Sequence, residues 1–133
     1  MTALSADRMT PRQAGEMFQD PVAAGVLIHA GAIVVLDASG DAAPGSTATG
    51  LKARGVAKAP VDNTGGAAGD KHVDTRKGVF RFANDGSVAR ADIEGTAYIV
   101  DDQTVANSDG TGTRSALGTI KHVDAVGVWV EIA

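Results

Sequence analysis

The stretch from Thr96 to Ile132 constrains the fold most. It reads TAYIVDDQTV, then a loop rich in Gly, Ser, Thr and Asp, then LGTIKHVDAVGVWVEI. Apolar and β-branched runs alternate with turn residues, which predicts a compact antiparallel meander. Within its closing strand, Val126, Val128, Val130 and Ile132 share one face, and Gly127, Trp129 and Glu131 share the other. If the valine face is core, Trp129 points outward and is a candidate contact residue, because tryptophan is enriched in binding hot spots. If the sheet is covered on both sides, Trp129 fills a second layer instead.

The same short-strand pattern runs upstream. Val26 to His29 and Ile33 to Leu36 are apolar runs, and the second is continuous, which predicts burial on both faces. Asp37 to Gly50 reads as a long loop of small residues. Leu51 to Ala59 reads as a strand with Lys52, Arg54, Val56 and Lys58 on one face. Its other face carries Leu51, Ala53, Gly55, Ala57 and Ala59, small enough to admit another strand or subunit closely. Val61 to Asp70 reads as a second loop, and Ala106 to Ser115 as a third. His72 to Phe82 predicts one or two strands with a bulge at Gly78. Asn84-Asp85-Gly86-Ser87 predicts a tight turn, with a return strand starting over Ser87 to Arg90.

The expected fold is therefore all-β: a small antiparallel sandwich or barrel, jelly-roll-like, with an extended N-terminal arm. The arm covers Met1 to Pro21, and a single β domain covers Val22 to Ala133. Within the arm, Thr10, Pro11 and Gln13 have the order of an N-cap, first helical residue and reciprocal capping partner. One or two helical turns and an extended arm are both open readings.

Composition limits the core and the partners. The 133 residues are 44% apolar, but the only aromatics are Phe18, Phe80, Phe82, Tyr98 and Trp129. A core with so few rings buries little area per residue, so oligomerisation or docking is expected to supply part of the stability. The net charge is −4 and the twelve Lys and Arg are scattered, which disfavours direct nucleic-acid binding. The absence of cysteine excludes disulfides and thiolate metal sites, and agrees with assembly in a reducing compartment. Met1 to Gln19 lacks the layout of a secretory signal. No apolar run approaches the roughly 20 residues that span a bilayer, so a soluble protein without membrane partners is expected.

Catalytic patterns are sparse. KHVD occurs at Lys71 to Asp74 and again at Lys121 to Asp124; a duplicated hairpin and a chance match explain it equally well. His72 with Asp74, and His122 with Asp124, have the spacing of two ligands on one strand face. They would make a metal site only if the two strands were neighbours. The serines sit mostly in turn-like sequence, and no nucleophile elbow occurs. Asp101 and Asp102 are adjacent, so on a strand they face opposite sides. The Gly-rich segments Asn63 to Gly66 and Asp109 to Gly112 lack the Lys-Ser/Thr of a phosphate loop. The expectation is a protein that is not an enzyme and needs no cofactor or metal.

Several phrases carry a resemblance: AGAIVVLD (Ala30 to Asp37), LKARGVAKAPVDNTGGAAGD (Leu51 to Asp70), RKGVFRFAN (Arg76 to Asn84), TAYIVDDQTVA (Thr96 to Ala106) and GVWVEI (Gly127 to Ile132). Together they resemble the head-decoration, or capsid cement, proteins of tailed bacteriophages. The resemblance implies a β-rich homo-oligomer on the outer capsid surface of the virion, assembled in the host cytoplasm. There it would clamp neighbouring subunits of the major capsid protein. It implies no catalytic residues. The candidate oligomer or capsid contacts are Trp129 and Glu131, with Met9, Pro11 and Phe18 in the arm. A dimer is favoured over a trimer because closed two-fold pairs are the commonest assemblies. Two other readings stand beside it: a carbohydrate- or host-surface-binding module using Trp129 and Tyr98, and a metal-dependent enzyme using His72, Asp74, His122 and Asp124.

Overall fold

The computed structural model describes Ala3, Ser5, Ala6, Met9 and Glu16 to Ala133. The capping window at Thr10 to Gln13 lies outside the described residues. Among those described there are twelve strands, one short 3-10 turn and no α-helix, so the all-β expectation holds. In chain order the strands are β1 (Met17–Pro21), β2 (Leu27–Ile28), β3 (Ile33–Leu36), β4 (Ala42–Pro44), β5 (Lys52–Ala57) and β6 (Val61–Asp62). They continue as β7 (His72–Arg76), β8 (Gly78–Asn84), β9 (Thr96–Ile99), β10 (Thr104–Ala106), β11 (Ala116–Val123) and β12 (Val128–Ile132).

Two arrangements divide these strands. The first half forms a five-stranded antiparallel sheet in the order β1-β7-β5-β3-β4, with a two-stranded β2-β6 ribbon beside it. The second half closes a barrel in the order β10-β8-β12-β11-β9, parallel only between β8 and β10. This is a sheet plus a barrel, not the two four-stranded sheets of a jelly roll. Residues Met17 to Pro21, assigned to the arm from sequence, are the first strand: Met17 pairs with Arg76 and Pro21 with His72.

The cores follow from strand alternation. Phe82, Ala97, Ile99, Val105, Leu117, Ile120, Val128, Val130 and Ile132 are buried together, and Ile33, Val35 and Val56 of the sheet join the same cluster. The opposite face of the sheet buries Val34, Ala57 and Val73 with Val22, Ile28 and Ala42. Thus β3 is covered on both faces, as its continuous apolar run predicts. In β5 the expected alternation breaks. The register slips between Val34 and Val35, opposite Arg54 and Gly55, so Leu51, Ala53 and Val56 all pack toward the barrel. Gly55 permits this bulge: its φ is 154°, and a Cβ there would lie 2.5 Å from the Arg76 carbonyl.

Three other readings need correction. Asp37 to Gly50 is not all loop, because the Asp37 carboxylate accepts the amides of Ser39 (2.9 Å) and Asp41 (3.0 Å). This Asx turn folds β4 back on β3. Val61 and Asp62, read as part of a loop, form β6. The Asn84 to Ser87 turn is real, with Asn84 Oδ1 accepting Gly86 N at 2.8 Å, but it opens no hairpin. Both edges of β8 are taken by β12 and β10, so the chain leaves through a 3-10 turn at Arg90–Asp92.

Candidate contact face

Trp129 lies on the outer face of the barrel. Its inward neighbours Val128 and Val130 are fully buried, while Trp129 itself is half-buried and belongs to neither apolar cluster. Cross-strand pairing sets it between Arg81 of β8 and His122 of β11. The Arg81 guanidinium sits 5.9 Å from the ring centroid, a cation–π distance. The indole Nε1 donates to Asp124 Oδ2 at 3.4 Å. Val126, counted with the core face from sequence, is in the preceding turn and 65% exposed.

Asp124 organises this face. Its Oδ1 accepts the amides of Val126 (2.8 Å) and Gly127 (3.0 Å), which shapes the β11–β12 turn. His122 Nε2 stands 3.8 Å from its Oδ2. The Val126 amide above all holds the carboxyl below the ordinary aspartate range. Partial desolvation opposes this, and the Trp129 indole, the Gly127 amide and nearby His122 reinforce it. Nothing in the composition marks Asp124 as an anchor; the signal is an Asp three residues before a Gly in a tight connection.

Glu131 is on the same outer face, opposite Val79 of β8 and Thr119 of β11. Val79 is 48% exposed. Below them a cleft of about 400 Å³ is lined by Glu16, Lys77, Gly78, Glu131, Ile132 and Ala133. It brings the residue that leads into β1 against the end of β12. Hence the entry to β1 sits beside the strand that carries Trp129 and Glu131.

The other candidates fall elsewhere. Phe18 is half-buried on β1, with the Arg54 guanidinium 3.9 Å from its ring centroid and the Lys77 ammonium 5.7 Å away. Arg54 also makes a two-pronged ion pair with Asp20, at 2.7 and 3.1 Å. Phe18 is thus a plate within the sheet, engaged by its own chain. Met9 is 95% exposed, and Pro11 lies outside the described residues. Tyr98 pairs with Ala116 at one end of β11, whereas Trp129 pairs with His122 near the other. The strand between them spans about 20 Å, too far for one shared aromatic platform.

The KHVD copies do not converge. His72 and Asp74 are on β7 of the sheet, where Asp74 accepts from Gln19 Nε2 at 3.0 Å. His122 and Asp124 flank the barrel turn. Among the described residues no group of three or more His, Cys, Asp or Glu is placed to hold a metal. A second, smaller cleft of about 260 Å³ is lined by His29, Gly31, Asp102 and Gln103 among others.

Two polar residues in loop-like sequence act as fastenings, Ser115 between the two halves and Asn63 within the first. Ser115 Oγ donates to Ala48 O (2.7 Å) and accepts from Leu51 N (3.1 Å), tying the barrel to the sheet. Asn63 is only 2% exposed, and its amide donates to Ala23 O (2.9 Å) and Ala67 O (3.1 Å). The Asn63 to Gly66 segment is therefore an internal fastening. No helix is long and apolar enough to cross a membrane among the described residues. Comparison with protein-family models, curated proteins and solved structures finds no match to this chain.

Proposed function

We propose that this protein is a structural cement of a phage virion. In this reading it binds the outer surface of the capsid and bridges neighbouring major capsid protein subunits, itself oligomeric and without catalytic action. The observation that carries the reading is the shared cleft of Glu16 and Glu131. Through it, the entry to β1 and the Trp129 face meet at one side of a small, rigid β module. Two contact elements on one side suit stapling: each contact is weak, and repetition across a lattice multiplies them. The sequence phrases that resemble head-decoration proteins support the same reading.

The test is co-sedimentation of the purified protein with expanded phage heads, followed by electron microscopy of the decorated particles. Saturable binding at fixed lattice positions is expected. Absence of binding to heads, together with retention on a glycan array, would replace this reading with a carbohydrate-binding one. Removing Met1 to Gly15, which spares β1, should lower occupancy on heads. Unchanged occupancy would confine the contact to the barrel face.

A further inference from the structure

A sheet edge is defined by the backbone groups that lack a partner. Closure gives every strand of the barrel two neighbours, so the barrel has no edge. The five-stranded sheet ends on β1 and β4, and these edges differ. On β4, Gly45 N donates to Ile33 O at 2.8 Å, and Val34 pairs with Pro44. Antiparallel alternation then turns the backbone groups of Ala43 toward β3 and those of Ala42 and Pro44 outward. The Ala42 carbonyl already accepts Ala23 N at 2.9 Å, and Pro44 has no N–H to offer. That edge is blunted.

On β1, Lys77 N donates to Glu16 O at 2.7 Å and Val22 N donates to Lys71 O at 2.9 Å. With the observed register, Phe18 and Asp20 direct their backbone groups at β7. Met17, Gln19 and Pro21 direct theirs outward. Because β4 begins only at Ala42, bridged in parallel to Val22, the stretch Met17 to Gln19 runs on past the β3–β4 turn. Met17 and Gln19 are both exposed, Met17 at 51%. Among the described residues no strand other than β7 pairs with β1.

We propose that this edge is a self-association site. In it, β1 pairs antiparallel with β1 of a second copy across a two-fold axis, Met17 of each chain opposite Gln19 of the other. Two residues spaced by two, each turning an N–H and a C=O outward, are self-complementary under such an axis, and the pairing makes four backbone hydrogen bonds. Pro21 leaves a shifted register no advantage: brought opposite Met17 it has no N–H to offer, so the longer pairing gains no bond over these four. It would also press on the end of β1 that is bridged to β4 through Val22 and Ala42. The occupant is a second copy because the edge complements itself. The inference rests on the self-association included in the proposed function and names its site.

Sedimentation equilibrium of the purified full chain, without phage heads, tests it up to about 1 mM protein. Gln19→Pro removes an outward N–H and no β1–β7 bond, at a position equivalent to Pro21. Gln19→Ala keeps the N–H and loses only the side-chain bond to Asp74. The wild type and Gln19→Ala should dimerise alike, and Gln19→Pro at least about tenfold more weakly with an unchanged far-ultraviolet dichroism spectrum. A wild type that is monomeric throughout overturns the proposal, and so does Gln19→Pro dimerising like the wild type. Hydrogen exchange of the wild type gives a second reading that needs no variant. The Met17 and Gln19 amides should slow as concentration rises while the Ala43 amide does not, and no dependence on concentration overturns the proposal. Since head binding is read separately, failure here is distinguishable from failure of the cement reading.

Discussion

The barrel and the sheet solve the same problem by different means. The barrel pairs all of its strands around a ring and fills the inside with Ile, Val, Leu and Phe. The sheet has edges, so polar side chains do part of the closing: Asn63 across the ribbon turn, Asp37 at a hairpin, and Asp20 with Arg54 at the β1 end. One buried hydroxyl on that side, Thr75 Oγ1, has no hydrogen-bond partner. Carboxylates close turns in both halves, but the sheet side also buries the polar residues Asp20, Asn63 and Thr75, and it keeps an edge where the barrel has none.

The contrast is sharpest in core deletions. Ile120→Ala, at a fully buried barrel position, should cost about 2–5 kcal/mol in chemical denaturation, because the ring cannot collapse around the cavity. A cost below about 1 kcal/mol would mean that the barrel is not the rigid half. Asp20→Ala leaves Arg54 without its carboxylate in a largely buried setting. It should cost about 1–3 kcal/mol, and hydrogen exchange should accelerate in β1 and β7 but not in β12. Uniform acceleration would erase the distinction between the halves. Trp129→Ala should cost about 1 kcal/mol or less of stability yet reduce occupancy on phage heads. A large thermal loss with unchanged binding would make Trp129 a second-layer core residue.

The smallest effect is the response to acid. Asp124 has its carboxyl held below the ordinary range, so its ties to the turn and to Trp129 are fully present above that range. They are lost as pH falls through the lowered value. The fluorescence of the sole tryptophan should therefore shift on acidification before the protein unfolds, and Asp124→Asn should abolish that step. A step that survives in Asp124→Asn would assign it elsewhere. No comparable early signal is expected from the barrel interior, which holds no titratable side chain among its clustered residues.

Strand positions were legible where alternation or a continuous apolar run is strong, as in β3, β9 and β12. They were hidden where pairing is made by turns: β4 lies in an Ala-, Gly- and Ser-rich stretch and exists because Asp37 folds it back. β10, only three residues long, follows a turn closed by Asp101 Oδ1 and the Gln103 amide at 2.9 Å. The outward face of Trp129 was legible from period-two spacing. Its cation–π partner was not, because Arg81 reaches it through the β8–β12 pairing, which no local pattern encodes. Phe18 looked like an arm contact for the same reason: its partners Arg54 and Lys77 are distant in sequence.

The division of the chain has a temporal consequence. Every strand of the sheet and ribbon lies within Met17 to Arg76, and every strand of the barrel within Gly78 to Ile132. During synthesis the N-terminal half is complete before the barrel leaves the ribosome. Until then Ile33, Val35 and Val56 have no cover, since the cluster they join is built mostly from barrel residues. The nascent sheet thus waits with an adhesive surface, and the barrel, folding later onto it, acts as that surface's own chaperone.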